Sequence, residues 1–156
     1  MQIELLQEKD LSALQKMIVK TMQKSFVGFY PQHWIDYSIS RQTTERLNMK
    51  RETMHFYVIK ERGKIVACGA ISGDYYGNTK EASLFSIFVD TDMQGRGYGR
   101  AIMKAIEGDE YFKRAKRIEC PASINALPFY MHFGYKHKND EIHFENGSFA
   151  LEKFNN

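Results

Sequence analysis

The chain has 156 residues, 43% of them hydrophobic, 13% aromatic and 26% charged, with a formal net charge of +3. That length suits a single domain, residues 1–156, with one core, and the composition is globular rather than disordered. The small net charge gives no reason to expect a nucleic-acid partner, Cys68 and Cys120 make no disulfide framework, and no apolar run is long enough for a signal peptide or membrane span, which points to the cytoplasm.

In chain order, Ile3 to Leu6 reads as a first strand, and Asp10 is placed to cap a helix with Leu11, Leu14, Ile18 and Met22 on one side. Phe26, Phe29, Tyr30 and Trp34 around Gly28 and Pro31 read as a loop or broken helix, and a second helix is expected from Ile35 to Asn48. Phe56 to Ile59 and Ile65 to Ile71 are strands joined by a hairpin through Arg62-Gly63, the second apolar enough to be central. Ser83 to Val89 is another strand, followed by a glycine-rich turn and a helix from Gly97 to Glu107 whose inner face offers Ala101, Ile102, Ala105 and Ile106. The basic run Lys113, Arg114, Lys116 and Arg117 reads as a solvated helix end. Ile118 to Pro121 is a short strand, Ser123 or Asn125 caps a helix ending near Phe133, and Gly134-Tyr135 opens the next strand. Asn146-Gly147 joins Ile142 to Glu145 with Ser148 to Lys153 as a hairpin.

The informative segment is Gln94-Gly95-Arg96-Gly97-Tyr98-Gly99-Arg100, between a strand and an amphipathic helix. Glycine permits positive φ and close approach of a ligand to the main chain, so that N–H groups converge on an anion where the helix begins. Arg96, Arg100 and Lys104 add charge that suits a diphosphate. The competing reading is a tight turn with solvated arginines. A P-loop is excluded because no GxxxxGK string followed by Ser or Thr occurs. A dinucleotide fingerprint fails at its third glycine, where Arg100 or Ile102 stands, although Glu119 lies where its acid belongs.

Strand-Gln-x-x-Gly-x-Gly-helix resembles the acetyl-CoA motif of the GNAT superfamily of N-acetyltransferases. The later Ala126-Leu127-Pro128-Phe129-Tyr130 and Phe133-Gly134-Tyr135 resemble that family's second motif, in the same order. The resemblance implies an α+β fold with a mixed, mostly antiparallel sheet flanked by helices. Its two central parallel strands, here Ser83 to Val89 and Ile118 to Pro121, would splay apart to admit the pantetheine arm. It implies that amides of Ile87, Phe88 and Val89 pair with that arm, that one near Phe88 or Val89 polarises the thioester, and that Gln94 to Arg100 hold the pyrophosphate. Where family members usually carry Asn, this chain has Ser123, and Asn125 two residues on is the substitute.

By the same resemblance, Tyr130 is the acid that protonates the departing thiolate; a phenol near pKa 10 and a thiol near roughly 8.5 are close enough for that transfer. Some members place a Glu where this chain has Ser83; Glu81, on the same strand face, is the candidate base acting through a water, against the alternative of an exposed carboxylate at a strand start. The five histidines show no metal-ligand spacing, so no metal is assigned. Cys120 reads as an inert core thiol. Phe26, Phe29, Tyr30, Trp34 and Tyr37 either stack on a cationic amine or pack as core. The expected protein is an enzyme, monomeric or homodimeric, that moves acetyl from acetyl-CoA to a primary amine in a ternary complex. The rival is a non-catalytic acyl-CoA sensor on the same fold.

Overall fold

The computed structural model describes residues 1–155, which divide into two compact units. One gathers Met1–Ala70 and Ser86–Glu107, the other Ile71–Phe85 and the chain from Gly108 onward. The chain passes from one to the other within two strands, β3 (Lys64–Ser72) and β4 (Glu81–Val89).

In the first unit the order is β1 (Gln2–Leu5), α1 (Leu11–Ser25), α2 (Gln32–Ser40), α3 (Thr44–Thr53), β2 (His55–Glu61), β3 up to Ala70, β4 from Ser86, and α4 (Tyr98–Glu107). α1 buries Leu14, Met17, Ile18 and Met22, the three- and four-residue spacing that lines one helix face. Asp10 does not cap it as expected. Its carboxylate accepts from the Gln7 N–H at 3.2 Å and from Lys60 Nζ at 3.0 Å, closing a short turn ahead of the helix. The single helix expected from Ile35 to Asn48 is two, because Thr43 turns extended (φ −89, ψ 155) and its hydroxyl accepts from the Arg46 N–H, starting α3 afresh. β1 runs antiparallel to β2 from Gln2 beside Lys60 to Leu5 beside Tyr57. Arg62 and Gly63, both at positive φ, turn β2 into β3. α4 buries Tyr98, Ile102, Met103 and Ile106; Ala101 and Ala105 are only half-buried, so the inner face is rotated from the expected one toward bulkier side chains. The helix meets β3 closely at Gly69, where a Cβ would stand 2.7 Å from Ile102 Cγ2.

The second unit holds the end of β3, the start of β4, α5 (Glu110–Arg114), β5 (Arg117–Ala122), α6 (Leu127–His132), β6 (Lys136–His137), β7 (Phe144–Glu145) and β8 (Ser148–Phe154). β4 and β5 are parallel, with Glu81 beside Arg117 and Ser83 beside Glu119. β5 and β8 are antiparallel along their length, from Arg117 beside Phe154 to Ala122 beside Phe149. Asn146 and Gly147, at φ 53 and 79, make the β7–β8 hairpin. Sheet neighbours run β1-β2-β3-β4 and then β4-β5-β8-β6, with β7 beside β8. The result is a mixed α+β fold whose sheet is mostly antiparallel, with β4 and β5 parallel, flanked by helices. Arg117 corrects the reading of the basic run: it opens β5 and is 9% exposed, while Lys113, Arg114 and Lys116 stay in solvent.

Candidate functional site

In the first unit, β4 ends at a turn built by Asp90. This residue is 1% exposed; its N–H donates to the Val66 carbonyl at 2.8 Å, and its Oδ1 accepts from the Asp92 N–H at 3.0 Å and from Lys20 Nζ at 2.9 Å. The fixed turn delivers Gln94, whose side chain donates to the Val89 carbonyl at 3.2 Å. Gly95 (φ +78) and Gly97 (φ +89) follow in the left-handed region, and a Cβ at either would find no atom within 4 Å. Conformation therefore demands glycine there, and the space beside it is open to a ligand. The first intrahelical bond of α4 joins the Ala101 N–H to the Gly97 carbonyl, so the helix's opening N–H groups lie at this turn. Arg96 and Arg100 are exposed and Gly99 is half-buried. Tyr98 turns inward at 8% exposure, its phenol bonded to Glu61, so only its backbone can face a ligand.

Along β4 the backbone direction is legible from its partners. The Asp90 N–H goes to β3, and the Phe88 N–H goes to the sulfur of Cys68 on β3. With alternation along a strand, the N–H groups of Ile87 and Val89 point away from β3. Ser86, immediately before Ile87, sits at φ +55. Burial pushes the Cys68 thiol up to about 12, so it stays protonated and donates to the Ser86 carbonyl at 3.1 Å.

In the second unit, Tyr130 lies on α6 at 5% exposure, its ring edge-on to Phe129 at 5.3 Å and to Tyr135 at 6.1 Å. Ser123 and Asn125 lie in the turn before α6; Ser123 makes no side-chain cap. The buried Asn125 Oδ1 has no hydrogen-bond partner, an acceptor left for something else to satisfy. Glu81 is not a solitary carboxylate: Arg117 Nη1 lies 3.4 Å from its Oε2. Arg117 also donates to Glu152 at 2.7 Å and to Glu119, and Lys138 reaches Glu119 at 3.4 Å and the Tyr75 hydroxyl at 3.1 Å. Burial works to raise the Glu152 carboxyl, but hydrogen bonds from Arg117 and the Asn139 N–H outweigh it and hold it below the usual range. Burial likewise pushes the Cys120 thiol well up, leaving a protonated core thiol.

Two features escaped sequence reasoning. Arg117 and Glu119 alternate in an apolar strand, a legible sign of a shared charged face. Ser86, a lone hydroxyl inside Leu84-Phe85-Ser86-Ile87-Phe88, was a weaker sign of a break in β4. Of the aromatic cluster, Phe26 and Tyr30 are core, Tyr30 stacks on Trp34 at 4.0 Å, and Phe29 and Tyr37 are exposed. Among the described residues no His, Cys, Asp and Glu group is arranged to hold a metal, and no helix is long and apolar enough to cross a membrane.

These features agree with what the chain is similar to. Over 98 residues it is 36% identical to an uncharacterized N-acetyltransferase of Methanocaldococcus jannaschii, a stretch covering 58% of this chain and 42% of that relative. This chain therefore matches less than half of that relative's length. In fold it is similar to the PaiA N-acetyltransferase of Thermoplasma acidophilum, solved in complex with coenzyme A, with a TM-score of 0.81 at 14% identity over 99% of this chain and 98% of that one. A GCN5-related N-acetyltransferase of Rhodopseudomonas palustris gives a TM-score of 0.77 at 16% identity over 98% and 94%. The family model described as acetyltransferase (GNAT) domain matches residues 18–150, and the chain belongs to that family.

Proposed function

We propose that the chain, residues 1–156, is one catalytic domain that moves acetyl from acetyl-CoA to a primary amine by direct transfer, acting in the cytoplasm as a monomer or homodimer. The observation that carries this reading is the turn Gln94–Arg100, open at Gly95 and Gly97 and leading into α4. Convergent N–H groups at a helix start suit the pyrophosphate, with Arg96 and Arg100 adding charge. The bound donor supplies an activated acyl group as a thioester. Ile87 and Val89 amides pair with its pantetheine arm as an added strand would, beside Phe88, and one of them receives the thioester carbonyl. Asn125, with its unmet acceptor, takes an N–H of the arm, and Ser123 lies beside it. Tyr130 hands its proton to the leaving sulfur. Glu81, shared with Arg117, takes a proton from the acceptor ammonium through a water.

The test is thiol release from acetyl-CoA with 1,4-diaminobutane, a lysine peptide and a peptide with a free α-amine. Amine-dependent release supports the reading. Binding of acetyl-CoA without turnover on any amine would favour a non-catalytic sensor, and absence of binding would end both.

A further inference from the structure

The odd feature of β4 is its middle. Ser86 holds φ +55, a region that residues with a side chain rarely enter, and it does so inside a strand, immediately before Ile87 and three residues before Val89. Two side chains grip it. Cys68 donates its S–H to the Ser86 carbonyl at 3.1 Å, and Lys50, from the last turn of α3, donates from Nζ to Ser86 Oγ at 2.7 Å.

Lys50 is an expensive choice for that task. Burial lowers its pKa; Cys68 acts against that shift, and the nearby Arg41 and Arg46 act with it, so the charged amine is disfavoured where it sits. A methionine of similar length would fill the space without that cost. A half-buried amine bonded to the hydroxyl of a residue at positive φ, beside proposed ligand-binding amides, calls for a functional reason.

We infer that Lys50 is a positioning residue for acyl transfer: its bond to Ser86 Oγ holds the left-handed backbone at Ser86 and so sets the direction of the Ile87 and Val89 N–H groups that receive the thioester carbonyl. The inference rests on the acetyl-transfer reading above. Without Lys50 the hydroxyl loses its distant anchor, Ser86 relaxes toward extended geometry, and the amides beyond it rotate. The pyrophosphate turn, fixed separately by Asp90 and Lys20, keeps its grip.

The experiment compares the full-length protein with Lys50→Met, Ser86→Gly and the double variant. For each, isotope-edited infrared spectroscopy reads the carbonyl stretch of bound acetyl-CoA labelled with carbon-13 at the thioester carbonyl, calorimetry reads the affinity, and a melt reads the fold. Lys50→Met is expected to bind acetyl-CoA as tightly as the parent and to melt no lower, while losing most of the downshift that a carbonyl gains from a hydrogen bond. Its thiol release falls by about 10- to 100-fold, less than the roughly 10²- to 10³-fold that loss of a whole donor costs. Glycine enters positive φ unaided, so adding Lys50→Met to Ser86→Gly changes neither frequency nor rate further. A parent-like carbonyl frequency in folded, acetyl-CoA-bound Lys50→Met overturns the inference, as does an undiminished Lys50→Met effect in the Ser86→Gly background. Failure of the parent protein itself to bind acetyl-CoA removes the functional reading instead, and this inference with it.

Discussion

Arg117 Nε donates to Glu152 Oε1 at 2.7 Å, joining β5 to β8 through two residues that are 9% and 2% exposed. The same guanidinium holds Glu119 and Glu81, so one cation organises three carboxylates on one face of the second unit's sheet.

That arrangement makes the protein acid-labile. The Glu152 carboxyl is held below its ordinary value of 4.5, so the unfolded chain takes up its proton first. The stabilisation is whole above about pH 4.5 and drains away as pH falls through the lower folded value. Melting temperature measured from pH 7 downward should drop below that point, and Glu152→Gln should be less stable at pH 7 with a flatter acid limb. An unaltered acid limb in Glu152→Gln would place the lability elsewhere.

Gly69→Ala should destabilise by about 1–3 kcal/mol through overpacking. The new Cβ meets Ile102 Cγ2 at 2.7 Å and Ile106 Cδ1 at 3.0 Å, both fully buried, and the half-buried Ile87 Cγ1 at 3.1 Å. The urea midpoint is the measurement, and a parent-like value would mean that α4 yields without penalty.

Gly97→Asp should abolish acetyl-CoA binding while leaving the circular dichroism spectrum intact. At φ +89 any side chain is strained, at about 1–3 kcal/mol, yet nothing lies within 4 Å to clash. Gly97→Ala carries the same strain without the charge. If repulsion of the pyrophosphate is the cause, calorimetry should find binding weakened in Gly97→Ala and lost in Gly97→Asp. Equal affinity in both variants and the parent would reduce the segment to a turn.

Tyr130→Phe keeps the ring packed against Phe129 and Tyr135 and removes only the hydroxyl. The expected result is a kcat lower by roughly 10²- to 10⁴-fold with little change in the KM for acetyl-CoA. The loss should shrink for acyl donors with a more acidic thiol, which need less protonation to leave. Should every donor suffer equally, Tyr130 is a packing residue and solvent supplies the proton.

Much of this was legible in the letters. Apolar periodicity marks α1, Gly63 and the Asn146-Gly147 pair mark the two hairpins, and the glycines of Gln94–Arg100 announce an open turn at the head of a helix. These are local properties: side-chain spacing and backbone freedom act within a few residues, so composition and order suffice to reveal them. The family resemblance carried by two motifs rests on the same local signals.

Which distant groups meet was decided by the tertiary structure. Lys50 reaches Ser86 across 36 positions, and Arg117 reaches Glu152 across 35. Read singly, Lys50 belongs to a polar helix and Arg117 to a basic run, since a charge in sequence carries no record of its depth. Only packing removes the water around them, and only then do their partners determine what they do. Burial lowers the Lys50 pKa, the Arg117 hydrogen bond pulls down the Glu152 carboxyl, and a serine inside a strand becomes the place where the backbone turns.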